Sequence, residues 1–270
     1  MNRRIIIPAA GKGSRLTKSE DAPPKVMHCV GGRPLLQVVL EQTNFIPEDD
    51  TYIVVGYKKD AIINHFGDRY HYVEQTEQKG TGHAVLVCQD HFKEFDGTIL
   101  VTFGDMPLFR REIMQAMCDY HESRHAACTL LTAENPELKM WARIVRDGDD
   151  RFAAIVEGKD CTPEQAQITE LFAGVLVFDS KALFQYLPLV GSQNVQHEYY
   201  LTEVPELMVK AGLNVETFPT DDGDDLRGVN TQEDLRICEQ ILKRRMGCSP
   251  SAPLPRIGCY LSIPSNFPSN

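Results

Sequence analysis

Short apolar runs alternate with segments of helical period from the first residues of the chain to residue 246. Runs at 4–8, 51–56, 70–74, 98–103, 126–132, 142–146, 151–157, 172–178 and 213–218 have strand length and composition. Between them, 34–44, 58–66, 81–92, 110–124, 180–187 and 201–211 carry helical spacing, and Thr162-Pro163-Glu164-Gln165 opens a further helix with an N-cap hydroxyl and proline in the first turn. A final helix runs from Thr231 to Met246. Its Thr231-x-x-Asp234 start caps it, and Leu235, Cys238, Ile241 and Leu242 place one face on a core. Strands alternating with helices predict a layered α/β domain over 1–246 with a largely parallel sheet. No internal period of about 20–50 residues marks a solenoid or propeller. Residues 247–270 differ in kind, with five prolines, five serines and a single charge, Arg256, and are expected to form a tail.

Composition narrows the function classes. The chain has 270 residues, 42% of them apolar and 24% charged, with 28 basic against 38 acidic side chains and a net charge of −10. That balance disfavours nucleic acid and anionic membrane as partners. No apolar run approaches the roughly 18–20 residues of a membrane span, and the six after Arg4 are too few for a secretory signal. Eight scattered cysteines without a Cys-x-x-Cys pair read as free thiols of a reducing, cytoplasmic compartment. Charge is uneven, however: residues 1–25 hold six basic side chains against two acids, which leaves room for one local anion site. The acidic run Asp221-Asp222-Gly223-Asp224-Asp225 reads as a solvated loop. His121 and His125, four apart on a predicted helix near Cys118, have a spacing that zinc could use, but a solvated helix face is the simpler reading.

The anion site has a place. Directly after the strand Arg4-Ile5-Ile6-Ile7 comes Pro8-Ala9-Ala10-Gly11-Lys12-Gly13-Ser14-Arg15-Leu16. Glycines there let several backbone N–H groups face one point, as a phosphate requires. Leu16 stands where a dinucleotide fingerprint needs its third glycine, and the P-loop pattern is absent, so neither of those motifs applies. Pro23-Pro24-Lys25 then sets a compact point charge on a stiff lead-in, within reach of the same phosphates.

These residues, together with Glu74-Gln75-Thr76-Glu77-Gln78-Lys79-Gly80-Thr81-Gly82-His83-Ala84, Gly104-Asp105-Met106-Pro107-Leu108, Ala154-Ile155-Val156-Glu157-Gly158-Lys159-Asp160, Glu198-Tyr199-Tyr200-Leu201-Thr202-Glu203 and Gly228-Val229-Asn230, resemble the sugar-nucleotide pyrophosphorylases. Within them the likeness is strongest to the uridylyltransferase domain of the bacterial N-acetylglucosamine-1-phosphate enzyme. The blocks keep the family's order from residue 5 to about 245. The resemblance implies a Rossmann-like (GT-A-like) nucleotidyltransferase fold with a mixed, largely parallel central sheet. It implies UTP and a sugar 1-phosphate as substrates, N-acetylglucosamine-1-phosphate foremost, and Mg²⁺ as cofactor. By the same resemblance Arg15, Lys25 and Asp105 are catalytic, and Asp105 with Asn230 holds the metal. Ala10, Gly11, Lys12, Gly13, Gln75, Gly80 and Thr81 would meet the nucleotide. Glu157, Tyr200 and Thr202 would meet the sugar, along with Phe103, Ala142 and Phe172 by position.

Those last three are departures: the family has a tyrosine, a glycine and an asparagine there. A phenylalanine cannot make an asparagine's hydrogen bond, so discrimination between sugars is expected to differ. The family's aspartate after Tyr-Tyr-x-Thr is Glu203 here. The long enzymes of the family also carry a C-terminal β-helix that acetylates the amino sugar and forms trimers. No hexapeptide repetition follows Met246, so the expectation is transfer without acetylation, in a monomer or small homo-oligomer. Two alternatives stand beside this reading: a pyrophosphorylase for another sugar phosphate or a cytidylyltransferase, and a non-catalytic subunit that binds nucleotide sugars.

Overall fold

The computed structural model describes residues 2–16, 19 and 21–247. Among them are eleven strands: β1 Arg3–Pro8, β2 Cys29–Val30, β3 Arg33–Pro34, β4 Thr51–Val55, β5 His71–Glu74, β6 Thr98–Thr102, β7 Cys128–Glu134, β8 Arg143–Arg146, β9 Phe152–Val156, β10 Glu170–Asp179 and β11 Val215–Pro219. The α-helices are α1 Leu35–Thr43, α2 Lys59–Phe66, α3 Thr81–Leu86, α4 Arg111–Arg124, α5 Ser180–Tyr186, α6 Val204–Lys210 and α7 Gln232–Arg245. The main sheet runs β11-β7-β10-β6-β1-β4-β5, with the β8–β9 hairpin hung on β10. β1 pairs parallel with β4 and β6, β4 with β5, and β7 with β11, whereas β10 is antiparallel to both β6 and β7. One reversed strand therefore leaves β1, β4, β5, β6, β7 and β11 all pointing the same way. Their carboxyl ends share one edge, where ligands gather in open α/β sheets.

The middles of the central strands are apolar because both faces are covered. Ile5 and Ile7 enter one core with Leu36, Val39, Ile62, Met114 and Met117, while Ile6 enters the other with Val85, Phe92, Leu201 and Val204. A third, smaller core joins the amino-terminal segment to α7. Leu16, Val30, Leu35, Val38 and Leu108 pack there against Val229 and against Cys238, Ile241 and Leu242 of α7. Each such aliphatic side chain contributes roughly 1.5–3 kcal/mol by leaving water, so α7 is bound to the amino-terminal segment. The loop that carries Asn230 into the site is thereby anchored.

Several elements differ from the sequence reading. The segment after Thr162 forms only the single 3-10 turn Gln165–Gln167, although Thr162 and Gln165 do exchange capping hydrogen bonds. Its residues bury no side chain, so nothing extends the turn into a helix. The helix expected over 81–92 breaks into α3 and a 3-10 turn at Gln89–Phe92, and the one expected from 201 begins as a 3-10 turn, Leu201–Glu203. The β2–β3 hairpin carries too few residues for any periodicity to announce it. The acidic run is not a solvated loop as a whole: Asp225 is fully buried and bound by Arg110, Arg245 and Thr220. His121 likewise lies in the interior, 3% exposed, with Nδ1 2.9 Å from Thr129 Oγ1. Among the described residues six cysteines are free, and no helix is long and apolar enough to cross a membrane. The tail expected over 247–270 lies, apart from Gly247, outside the described residues.

Candidate active site

The loop after β1 is held from below and turned by glycine. Ala9 N–H donates to Val54 O at 2.8 Å, and Ala10 O accepts from Tyr57 N–H at 3.1 Å, so the loop leaves the sheet edge tied to the end of β4. Leu16 N–H closes a turn on Gly13 O at 2.9 Å, with Gly13 at φ +74°, a conformation that glycine adopts without steric cost. Gly13 also meets Lys25 side by side: a Cβ on residue 13 would lie 2.7 Å from Lys25 Cβ. Lys25 N–H reaches Gly11 O at 3.4 Å. The backbone of Lys25 is thus seated on the loop.

The Lys25 side chain extends to the end of β6. Its ammonium donates to Asp105 Oδ2 and, at 2.8 Å, to Asn230 Oδ1. Arg15 Nη2 donates to the same Asn230 oxygen at 3.1 Å. Four residues from three distant stretches of chain meet here. Val229 N–H on Asp105 O, 2.9 Å, ties the β6 loop to the segment leading into α7. Asp234 Oδ2 accepts from the backbone N–H groups of Asn230 and Thr231 at 3.0 and 2.8 Å, while Thr231 Oγ1 accepts from Asp234 N–H. The helix cap therefore also sets the orientation of Asn230. Lys12 does not join them: its ammonium lies 5.4 Å from the Tyr57 ring centroid.

On the β5 side, buried Gln75 gives its amide nitrogen to Gly80 O at 3.3 Å and to His83 Nδ1 at 3.0 Å. The loop from Lys79 to Gly82 docks on a neighbouring segment. Tyr199 N–H donates to Lys79 O, Gly82 N–H to Tyr199 O, and Leu201 N–H to Thr81 Oγ1, at 2.8, 2.7 and 3.0 Å. Tyr200 lies within that docked segment. Next to it Thr202 Oγ1 donates to Glu157 Oε1 at 2.9 Å. Burial pushes the Glu157 carboxyl above the ordinary range, helped by Asp160 and Glu198 and opposed by the Thr202 hydroxyl. Burial, with the same acids and Glu203, pushes the Tyr200 phenol up to about 12, so it remains a proton donor. The cluster around Lys25 carries two cations, and the wall built on Gln75 and Glu157 carries acceptors and hydroxyls.

A family model described as the MobA-like NTP transferase domain matches residues 5–187. The chain belongs to that family. This NTP transferase chain is similar to the bifunctional protein GlmU of Enterococcus faecalis, 37% identical over 245 residues, which make up 91% of this chain and 53% of the relative. To the bifunctional protein GlmU of Lactococcus lactis subsp. lactis it is 38% identical over 246 residues, with the same shares. It spans about half the length of these curated relatives. Among solved structures, UDP-glucose pyrophosphorylase complexed with UDP-glucose superposes with a TM-score of 0.74 at 17% identity, over 91% of this chain and all of that one, a likeness of fold.

Within this NTP transferase chain the sequence-predicted residues fall into four groups. Arg15, Lys25, Asp105 and Asn230 are in direct contact. Gln75, Gly80, Thr81, Tyr200, Thr202 and Glu157 form one continuous hydrogen-bonded wall through the segment Tyr199–Thr202. Ala142 and Phe172 are brought together, Phe172 N–H donating to Ala142 O at 2.9 Å, but both side chains are buried in a core with Ile144 and Ile155. Phe103 packs against both main cores. Ala10 is buried, and Gly11 and Lys12 are exposed on the loop. Sequence reasoning missed three supports: His83 on Gln75, the Tyr199 backbone under Gly82, and Asp234 on Asn230. Only the last left a sequence signal, the Thr231-x-x-Asp234 cap, which read as a helix start and not as part of a site.

Proposed function

We propose that the protein joins UTP to a sugar 1-phosphate and releases pyrophosphate. The observation that carries this reading is the meeting of Arg15, Lys25, Asp105 and Asn230 at the carboxyl edge of the sheet. The similarity to bifunctional GlmU over 91% of this chain supports it.

The donor set suits Mg²⁺. Asp105 and Asn230 each present a hard oxygen, and both already converge on one cation, the Lys25 ammonium. Mg²⁺ commonly takes one or two protein oxygens and completes its shell with substrate phosphates and water. When bound, it would withdraw charge from the transferring phosphate. The rest is done by the chain. The glycine loop and Arg15 hold the β- and γ-phosphates, and Lys25 meets the charge that builds around the α-phosphorus. Gln75 holds the base. Glu157, Thr202 and Tyr200 bond the sugar hydroxyls and leave its phosphate directed to the cluster around Lys25. An oxygen of the sugar phosphate then forms a bond to the α-phosphorus, and the bond to pyrophosphate breaks in line with it. The electron pair leaves on pyrophosphate, and no protein nucleophile is needed.

The Ala142 and Phe172 side chains point into a core and Phe103 packs on both cores, so none of them supplies the polar contacts of the family's glycine, asparagine and tyrosine, and N-acetylglucosamine-1-phosphate is tested beside other sugar phosphates. The cytoplasm, with its reduced thiols and nucleotide pool, is the compartment we assign. The test is pyrophosphate release with Mg²⁺ across four nucleoside triphosphates and a panel of sugar 1-phosphates. Turnover with UTP and one or two sugars is expected, falling by about 10²-fold or more in Asp105→Asn and Lys25→Ala. Wild-type rates in both variants would overturn the assignment of the site, and turnover with CTP alone would overturn the choice of base.

A further inference from the structure

Resting on the reading of Asp105 and Asn230 as metal donors, we propose that Lys25 holds the metal's place in the free protein. Divalent metal then binds well only after a nucleoside triphosphate has drawn the ammonium away. Both oxygens assigned to the metal are hydrogen-bonded to Lys25 Nζ, and the Asn230 oxygen also accepts from Arg15. The pair is largely withdrawn from water, with the Lys25 side chain 14% and the Asp105 side chain 25% exposed, so solvent weakens it less than a surface ion pair. An ammonium and a divalent cation cannot share these two oxygens at bonding distance. One must leave.

Which part can move follows from the anchoring. The Lys25 backbone is fixed by Pro23-Pro24, by its N–H on Gly11 O, and by Gly13 against its Cβ. The rotatable bonds of the aliphatic stem beyond Cβ are what would let the ammonium move while the backbone stays in place. A triphosphate offers Lys25 and Arg15 more negative charge than a single carboxylate and a carboxamide do. Transfer of both cations to the phosphates uncovers the Asp105 and Asn230 oxygens in the same event. Metal and nucleotide therefore raise each other's affinity by one shared factor. In the free protein the apparent metal affinity is reduced to the fraction of time that Lys25 is displaced.

The test is Mn²⁺ binding to the full chain without substrate, followed by loss of the free-ion paramagnetic resonance signal. Lys25→Met is expected to bind Mn²⁺ about tenfold or more tightly than wild type, with Lys25→Gln as a second variant in case the first folds poorly. The gain should vanish in Lys25→Met/Asp105→Asn. A non-hydrolysable UTP analogue should tighten Mn²⁺ binding, beyond what the analogue binds alone, more in wild type than in Lys25→Met. Equal Mn²⁺ affinity in wild type and Lys25→Met, both weakened by Asp105→Asn, would overturn the proposal and leave the metal reading standing. No effect of Asp105→Asn in any state would overturn the metal reading and the proposal with it.

Discussion

Gly13 and Lys25 touch so closely that residue 13 has no room for a side chain: a Cβ there would fall 2.7 Å from Lys25 Cβ and 3.0 Å from its Cγ. Gly13 is also at φ +74°, so an alanine would be strained as well as crowded. The clash falls on the stem that delivers the ammonium to Asp105. Gly13→Ala is expected to lower kcat/KM for pyrophosphate release by on the order of 10²-fold, the usual cost of misplacing a reacting group by about 1 Å. The loop is at the surface, so the thermal midpoint should move by only a few degrees, read by circular dichroism.

Asp234 supports Asn230 through a backbone bond of 3.0 Å while capping α7. Asp234→Ala should cost about 1 kcal/mol of stability as a lost cap. It should also raise the Mg²⁺ concentration needed for half-maximal rate, because the Asn230 oxygen is no longer aimed. A residue that only capped the helix would lower the melting temperature and leave the Mg²⁺ requirement unchanged. Asp234→Asn, which keeps one acceptor oxygen, should recover part of both effects.

Asp225 is fully buried between Arg110 and Arg245, with Arg110 Nη2 at 2.9 Å, Arg245 Nη2 at 2.8 Å and Thr220 Oγ1 at 2.7 Å. It fastens the start of α4 and the end of α7 to the turn before Gly228. Asp225→Ala would leave two guanidinium groups facing each other without their shared anion. A loss of about 3–5 kcal/mol is expected, measured as a lower urea midpoint. What protein remains folded at low temperature should keep its choice of sugar phosphate, since no atom of the acceptor wall is touched.

Burial pulls the His121 imidazole from 6.5 down to about 4, against the opposite pull of Asp179 and Glu122. The unfolded chain takes up that proton near pH 6.5 and the folded one only near pH 4. Stability is therefore undiminished above pH 6.5, falls as pH drops through that interval, and levels off below about 4. The interval corresponds to roughly 3 kcal/mol at 1.36 kcal/mol per pH unit. Denaturant midpoints of wild type and His121→Gln, measured from pH 7 to pH 4, should converge as the pH falls. Parallel curves would remove His121 from the acid sensitivity.

All nine strands expected from apolar runs are present, because an alternation of short buried strands and helices is a local signal that needs no knowledge of partners. The candidate site was legible as a set of blocks. Lys25, Asp105 and Asn230 each stood in a recognisable stretch, and the glycine loop announced an anion site through its composition. Distance in sequence hid the rest. Asp225 looked like one more acid in a polar run, since its partners Arg110 and Arg245 lie 115 and 20 residues away. His121 looked exposed because the strand residue that receives it, Thr129, is reached only when the helix packs on the sheet. Phe172 was expected beside the sugar, yet its side chain enters a core, a choice made by how β10 meets the β8–β9 hairpin.

By itself the sequence determined the alternation of elements, the turn-forming loop after the first strand, and which residue types stand at the strand ends, because these depend on local sterics and on the period of apolar positions. Only the tertiary structure decided that Lys25 rests on Asp105 and Asn230 and that Lys12 does not. That outcome depends on the parallel order of β1, β4 and β6, and on α7 folding back onto the amino-terminal segment. Opposite charges attract wherever they lie, but the packing of apolar side chains far apart in sequence chooses which of them meet.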